Sequence, residues 1–155
     1  MSTLAPQSCM WTTSTSHGAI VVGVDSSPQA LVAARKAADI AKALGAELHI
    51  VSAVMKNEFY EFGIGSDRWV GSDFDRAEQD LQSIASEFRG AITVSTTAVK
   101  SSPAEALCSK AERLHASMVV VGNKRVQSVA HVLGSVAGAV AKDAACDVYI
   151  AHTYD

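Results

Sequence analysis

At 155 residues the chain has the length of one domain with room for a sizeable core. Hydrophobic residues make up 48% and charged residues 19%, a globular balance, and no apolar run reaches the roughly 18 residues of a membrane span. Thirteen Lys and Arg against 16 Asp and Glu give a formal charge of −3, which excludes a global basic field that would recruit nucleic acid.

Residues 1–18 are rich in Ser and Thr and nearly uncharged, and they read as a disordered tail before a single domain over 19–155. The tail lacks the cationic start and apolar centre of a secretory signal, and Met10 offers a second start besides Met1. Cys9, Cys108 and Cys146 form no CxxC pair and read as reduced thiols of a cytoplasmic protein, the last two buried.

Ala19 to Val24 is a continuous apolar run, the pattern of a central parallel strand covered on both faces. Asp25-Ser26-Ser27-Pro28 follows, with Ser27 as N-cap and Pro28 at the first helical position. Leu31, Ala34, Ala38, Ile40, Ala41 and Leu44 recur at helical spacing, and Gly45 ends the helix. Glu47 to Val54 is the second strand, completing a β-α-β unit with a right-handed crossover. Lys56 to Gly71 shows no period and reads as a long loop interrupted by Phe59, Tyr60, Phe62 and Trp69.

Ser72 opens the next helix with Asp75 as its capping-box partner, and Gly90 closes it. Asp75 and Glu78 on that helix read as a solvated face. Ile92 to Val99 partly alternates, which suits an edge strand. Ser102-Pro103-Ala104-Glu105 is a helix start by cap, proline and acid. Met118 to Val121 is the fourth strand, Val136 to Ala145 the fourth helix, and Asp147 to Ala151 the fifth strand. The alternation predicts an open α/β sheet of five parallel strands with helices on both faces.

The chemistry-bearing stretch begins where the fourth strand stops. Gly122 is followed by Asn123, Lys124 and Arg125, and Gly134-Ser135 opens the helix that runs on from Val136. Strand, glycine, basic loop and Gly-Ser helix start is an arrangement that offers backbone N–H groups to an anion. No Walker A string and no Gly-x-Gly-x-x-Gly follows the first strand. His17, His49, His115, His131 and His152 have no metal-ligand spacing, and His131 reads as a solvated residue at a helix entry.

The stretch from Gly122 to Ser135 resembles the C-terminal signature of the universal stress protein family, Gly-x2-Gly-x9-Gly-Ser/Thr. Arg125 stands at the second glycine, and eight residues precede Gly134. The resemblance runs from about Ile20 to His152. It implies a Rossmann-like, adenine-nucleotide α-hydrolase-like sheet of order 3-2-1-4-5, in which the first and fourth strands are neighbours. It also implies a site for ATP or cyclic AMP built from Val24, Asp25, Ser26, Ser27, Gly122, Asn123, Arg125, Gly134, Ser135 and Val136. Asp25 would contact the ribose or a phosphate-bound Mg²⁺, and the backbone near Ala53 and Val54 would read the adenine.

By the same resemblance the protein is expected to be a stress-response sensor rather than an enzyme. It would be a homodimer through the last strand, Val148, Tyr149, Ile150 and Ala151, with no nucleic-acid or membrane partner. Two further readings keep the fold. One is a dimeric interaction protein whose cradle is spoiled by Arg125 and the short spacer. The other is a weak ATP hydrolase with Asp25 holding Mg²⁺.

Overall fold

The computed structural model describes residues 18–123 and 133–153. The 1–17 part of the expected tail, with Cys9, Met10 and His17, lies outside the described residues, as do Lys124, Arg125 and His131. The elements are β1 (Ala19–Gly23), α1 (Pro28–Leu44), β2 (Glu47–Ala53), β3 (Phe59–Phe62), β4 (Trp69–Ser72), α2 (Asp73–Ser86), β5 (Val94–Val99), α3 (Pro103–Arg113), β6 (Met118–Asn123), α4 (Ser135–Asp143) and β7 (Asp147–His152). Five of the strands form one parallel sheet in the order β5-β2-β1-β6-β7. Counted along that sheet alone the order is 3-2-1-4-5; the numbering differs because β3 and β4 stand apart as an antiparallel pair.

Side chains alternate across the central strands, so each face builds its own core. Ile20, Val22, Leu48 and Ile50 pack with α1 and α2, whereas Val21, Val51, Val119 and Val121 pack with α3 and α4. The buried face of α1 is all alanine: Ala30, Ala33, Ala34, Ala37, Ala38 and Ala41. The sequence pattern placed Leu31, Ile40 and Leu44 on that face. Leu31 and Ile40 are only half-buried and Leu44 is exposed, because the small side chains set the helix against the sheet and turn the larger ones to its flanks.

Local capping signals mostly operate as written. Ser27 Oγ accepts from the Ala30 N–H at 3.3 Å, and Gly45 ends α1 in the left-handed region at φ 64°. Ser72 and Asp75 form the reciprocal capping box. Two expectations fail. Ser102 caps nothing with its side chain; instead Ser101 Oγ donates to Glu105 Oε2 at 2.7 Å. Helix α2 ends at Ser86, and Gly90 lies beyond it at the tip of the following turn, at φ 90°.

The stretch read as a loop over 56–71 contains the β3–β4 hairpin. Phe62 pairs with Trp69, and their rings stack with centroids 4.5 Å apart. The hairpin is tied to the start of α2: Tyr60 donates to Asp73 Oδ1 (2.6 Å), and the Glu58 N–H donates to Asp73 Oδ2 (2.9 Å). At the sheet edges, β5 begins at Val94 rather than Ile92, and Ala151 of β7 is fully buried while Tyr149 stays exposed. Cys108 and Cys146 are half-buried free thiols rather than fully buried ones; partial burial pushes both up in pKa. No described helix is long and apolar enough to cross a membrane.

Candidate functional site

Beyond the C-terminal ends of β1 and β6 the winding of the sheet reverses, since β1 leads through α1 to β2 on one side while α3 delivers the chain to β6 on the other. Open α/β sheets bind ligands at this crevice. A cavity of about 170 Å³ lies there. Among the expected residues it gathers Val24, Asp25 and Ser27 after β1, Ala53 at the end of β2, Gly122 of β6, and Gly134, Ser135 and Val136 at the start of α4. Three described residues of the expected set are not in its wall. Ser26 donates to Asp80 Oδ2 at 2.9 Å on α2. Val54 is buried, and its N–H is committed to the Val99 carbonyl at 2.8 Å. Asn123 sits at the last position of β6, where its carbonyl accepts from Thr153 Oγ1 at 3.1 Å and its buried side-chain oxygen has no hydrogen-bond partner among the described residues. Arg125 lies outside the described residues.

Three helix starts surround the cavity, and they differ in chemistry. At α1 the Asp25 carboxylate accepts from the Ser27 N–H at 3.0 Å and from the Ser27 hydroxyl, while that hydroxyl accepts from Ala30. This start is side-chain capped by its own residues. At α3, Pro103 has no N–H to satisfy, and the acid of the first turn, Glu105, is occupied by Ser101. At α4 the cap is Gly134, with φ −58° and ψ 155°; no side chain caps the helix and its first turn holds no acid. The first intrahelical bond runs from the Gly138 N–H to the Gly134 carbonyl at 2.8 Å. The N–H groups of Ser135, Val136 and Ala137 precede it and have no acceptor within the helix. All three residues line the cavity. A helix start without a side-chain cap carries a partial positive charge and backbone donors, the properties an oxyanion needs.

The glycines have less uniform reasons. A Cβ on Gly122 would lie 3.3 Å from Thr153 Cγ2 and 3.6 Å from Ala33 Cβ, so close packing against β7's end and α1 favours glycine there. A Cβ on Gly23 would meet Leu107 Cδ1 at 2.7 Å, so this glycine lets α3 settle on β1. Sequence reasoning missed Gln29, Val51, Pro103, Ala106, Leu107 and Thr153 in the cavity wall. The helix start at Pro103 was legible and lies at the right end of the sheet; Thr153, past the last strand, carried no signal. Among the described residues no three His, Cys, Asp or Glu side chains cluster as metal ligands.

A universal stress protein crystallised in complex with cAMP superposes with a TM-score of 0.70 at 28% identity, over 90% of this chain and 99% of that one. A universal stress protein from Archaeoglobus fulgidus matches at 25% identity and a TM-score of 0.67, over 86% and 97%. A second structure from that organism, in complex with dAMP, shares the fold at 23% identity and a TM-score of 0.63, over 86% and 96%. No curated protein matches the chain. The sequence model of the universal stress protein family matches residues 17–152, and the chain belongs to that family.

Proposed function

We propose that the cavity binds an adenine nucleotide and that the protein acts as a nucleotide-responsive regulator. The observation that carries this reading is the start of α4, which no side chain caps and whose first-turn residues line the same cavity as the Asp25 turn. The wall suits such a ligand. Val24, Ala53, Val51 and Leu107 offer apolar surface for a base, and Asp25, Ser27, Gln29, Ser135 and Thr153 supply the polar part of the wall. The N–H groups of Ser135, Val136 and Ala137, with the Ser135 hydroxyl, would hold phosphate oxygens. Asp25 would accept from a ribose hydroxyl or hold Mg²⁺ alongside a longer phosphate chain. The base would rest near Ala53, without the Val54 N–H, which the sheet already uses. Cyclic AMP is the favoured ligand because the relative at 28% identity was crystallised with it.

Binding without turnover fits the site. Asp25 is the one ionisable residue among the described cavity walls, and its carboxylate already accepts two hydrogen bonds from Ser27. General acid–base work calls for a second group of matched pKa. The β7 edge, with Val148, Tyr149 and Ile150 beside a buried Ala151, is the surface proposed for a homodimer, through pairing of its free backbone edge. A reducing cytoplasmic setting suits the free thiols of Cys108 and Cys146.

Equilibrium binding of labelled cAMP and ATP, with and without Mg²⁺, tests the reading. Saturable binding without hydrolysis is expected. No binding of either nucleotide at millimolar concentration would favour the ligand-free interaction protein, and hydrolysis lost in Asp25→Ala would favour the ATPase.

A further inference from the structure

A second groove lies beside the nucleotide cavity, between the edge strand β5 and helix α3. Its volume is about 280 Å³. Thr97 and Val99 of β5, with Lys100 and Ser101 just after it, form one wall; Ser109, Lys110 and Arg113 of α3 form the other. Val51 and Ala106 make an apolar floor and are shared with the nucleotide cavity, so the two spaces are back to back.

The groove reverses the sign of the molecule. The chain carries −3 overall, yet Lys100, Lys110 and Arg113 meet here with one carboxylate, Glu105, whose Oε2 accepts from Ser101 Oγ at 2.7 Å. Among the described residues the ion pairs are Arg35–Glu87 and His49–Glu47, so none of the three cations has a carboxylate at salt-bridge distance. Lys110 is half-buried. Its ammonium donates to Thr97 Oγ1 at 3.1 Å, and its two other N–H donors remain for a ligand. Arg113 stands one turn further along the same face and adds a planar fork of donors. Basic residues in the last turn of α3 also complement its dipole, but that role does not gather Lys100, Thr97 and Ser101 across the groove.

We propose that this groove is a second anion site, built for a phosphate group and separate from the cavity at α4. Lys110 and Arg113 supply charge, and the hydroxyls of Thr97 and Ser109 supply further donors. The apolar floor strengthens each bond by keeping water from one side. The inference does not depend on nucleotide binding.

Titration of the full chain with inorganic phosphate, followed by backbone amide shifts, tests it. The two sites are read separately, at Thr97, Ser101, Ser109 and Lys110 for the groove and at Ser135 to Ala137 for the cavity. Saturating shifts are expected in the groove set. Lys110→Gln should weaken them about tenfold, the loss of one charge-assisted bond, and leave the cavity set unchanged. Arg113→Gln, at an exposed position, should act in the same direction. Shifts confined to Ser135–Ala137, groove shifts unaltered in both variants, or no groove response at the highest soluble phosphate concentration would each overturn the proposal.

Discussion

The starts of α1 and α4 open onto the same cavity and each carries a Ser, Ser27 as the cap of one and Ser135 as the first helical residue of the other, yet they are finished in opposite ways. Asp25 and Ser27 use their own oxygens to cap α1, so that end of the helix has its side-chain cap before any ligand arrives. Gly134 brings no side-chain oxygen to α4, and the first-turn N–H groups have no acceptor within the helix. The difference separates two roles that look alike in sequence. A self-capped start fixes the position of a carboxylate; an uncapped one reserves donors for something else.

Reversing the uncapped state should have the largest effect. Gly134 has an extended backbone that any L-residue adopts, so Gly134→Asp would cap α4 from within and place a negative charge at its start. Calorimetric titration should show cAMP affinity falling about 100-fold, the loss of two charge-assisted hydrogen bonds. The same variant should melt no lower than the parent, because the helix gains a better cap. Next in size is Asp25→Asn, which keeps an acceptor for the Ser27 N–H and removes the charge. Thermal unfolding should fall modestly, since a charge that supports the start of α1 is lost, while nucleotide affinity should drop about tenfold, as direct binding would report.

A smaller change sharpens the contrast further. Ser135→Ala removes a hydroxyl but none of the backbone donors, and should weaken binding about fivefold. Ser27→Ala is the counterpart on α1. It should cost about 1 kcal/mol of stability, readable as a Tm lowered by about 3 °C, with nucleotide affinity nearly unchanged.

Much of the frame was legible because it depends on neighbours in the chain. The Val-rich runs marked β1 and β6, since strands covered on both faces admit little else. Ser27-Pro28, Gly45 and the Ser72–Asp75 pair marked helix ends through contacts no more than four residues apart. The aromatic hairpin escaped notice because both faces of β3 are exposed, which removes the alternation that burial imposes, and because its anchor is Asp73 on another element. Thr153 and Leu107 enter the site only through the tertiary packing of β7 and α3. The purpose of Gly23 was equally hidden, since it answers to Leu107, 84 positions away. Asp25, Gly122 and Gly134 were found by type and spacing, but spacing could not tell the satisfied helix start from the open one.

The most direct test reads both starts in one sample. Amide shifts are followed at Ser27 and Ala30 of the first start, and at Ser135, Val136 and Ala137 of the second, as cAMP is added. Large, saturating changes at Ser135–Ala137 with small ones at Ser27 and Ala30 are predicted. Saturating binding that leaves Ser135–Ala137 unmoved would contradict the account, since it would place the phosphate away from the open end of α4.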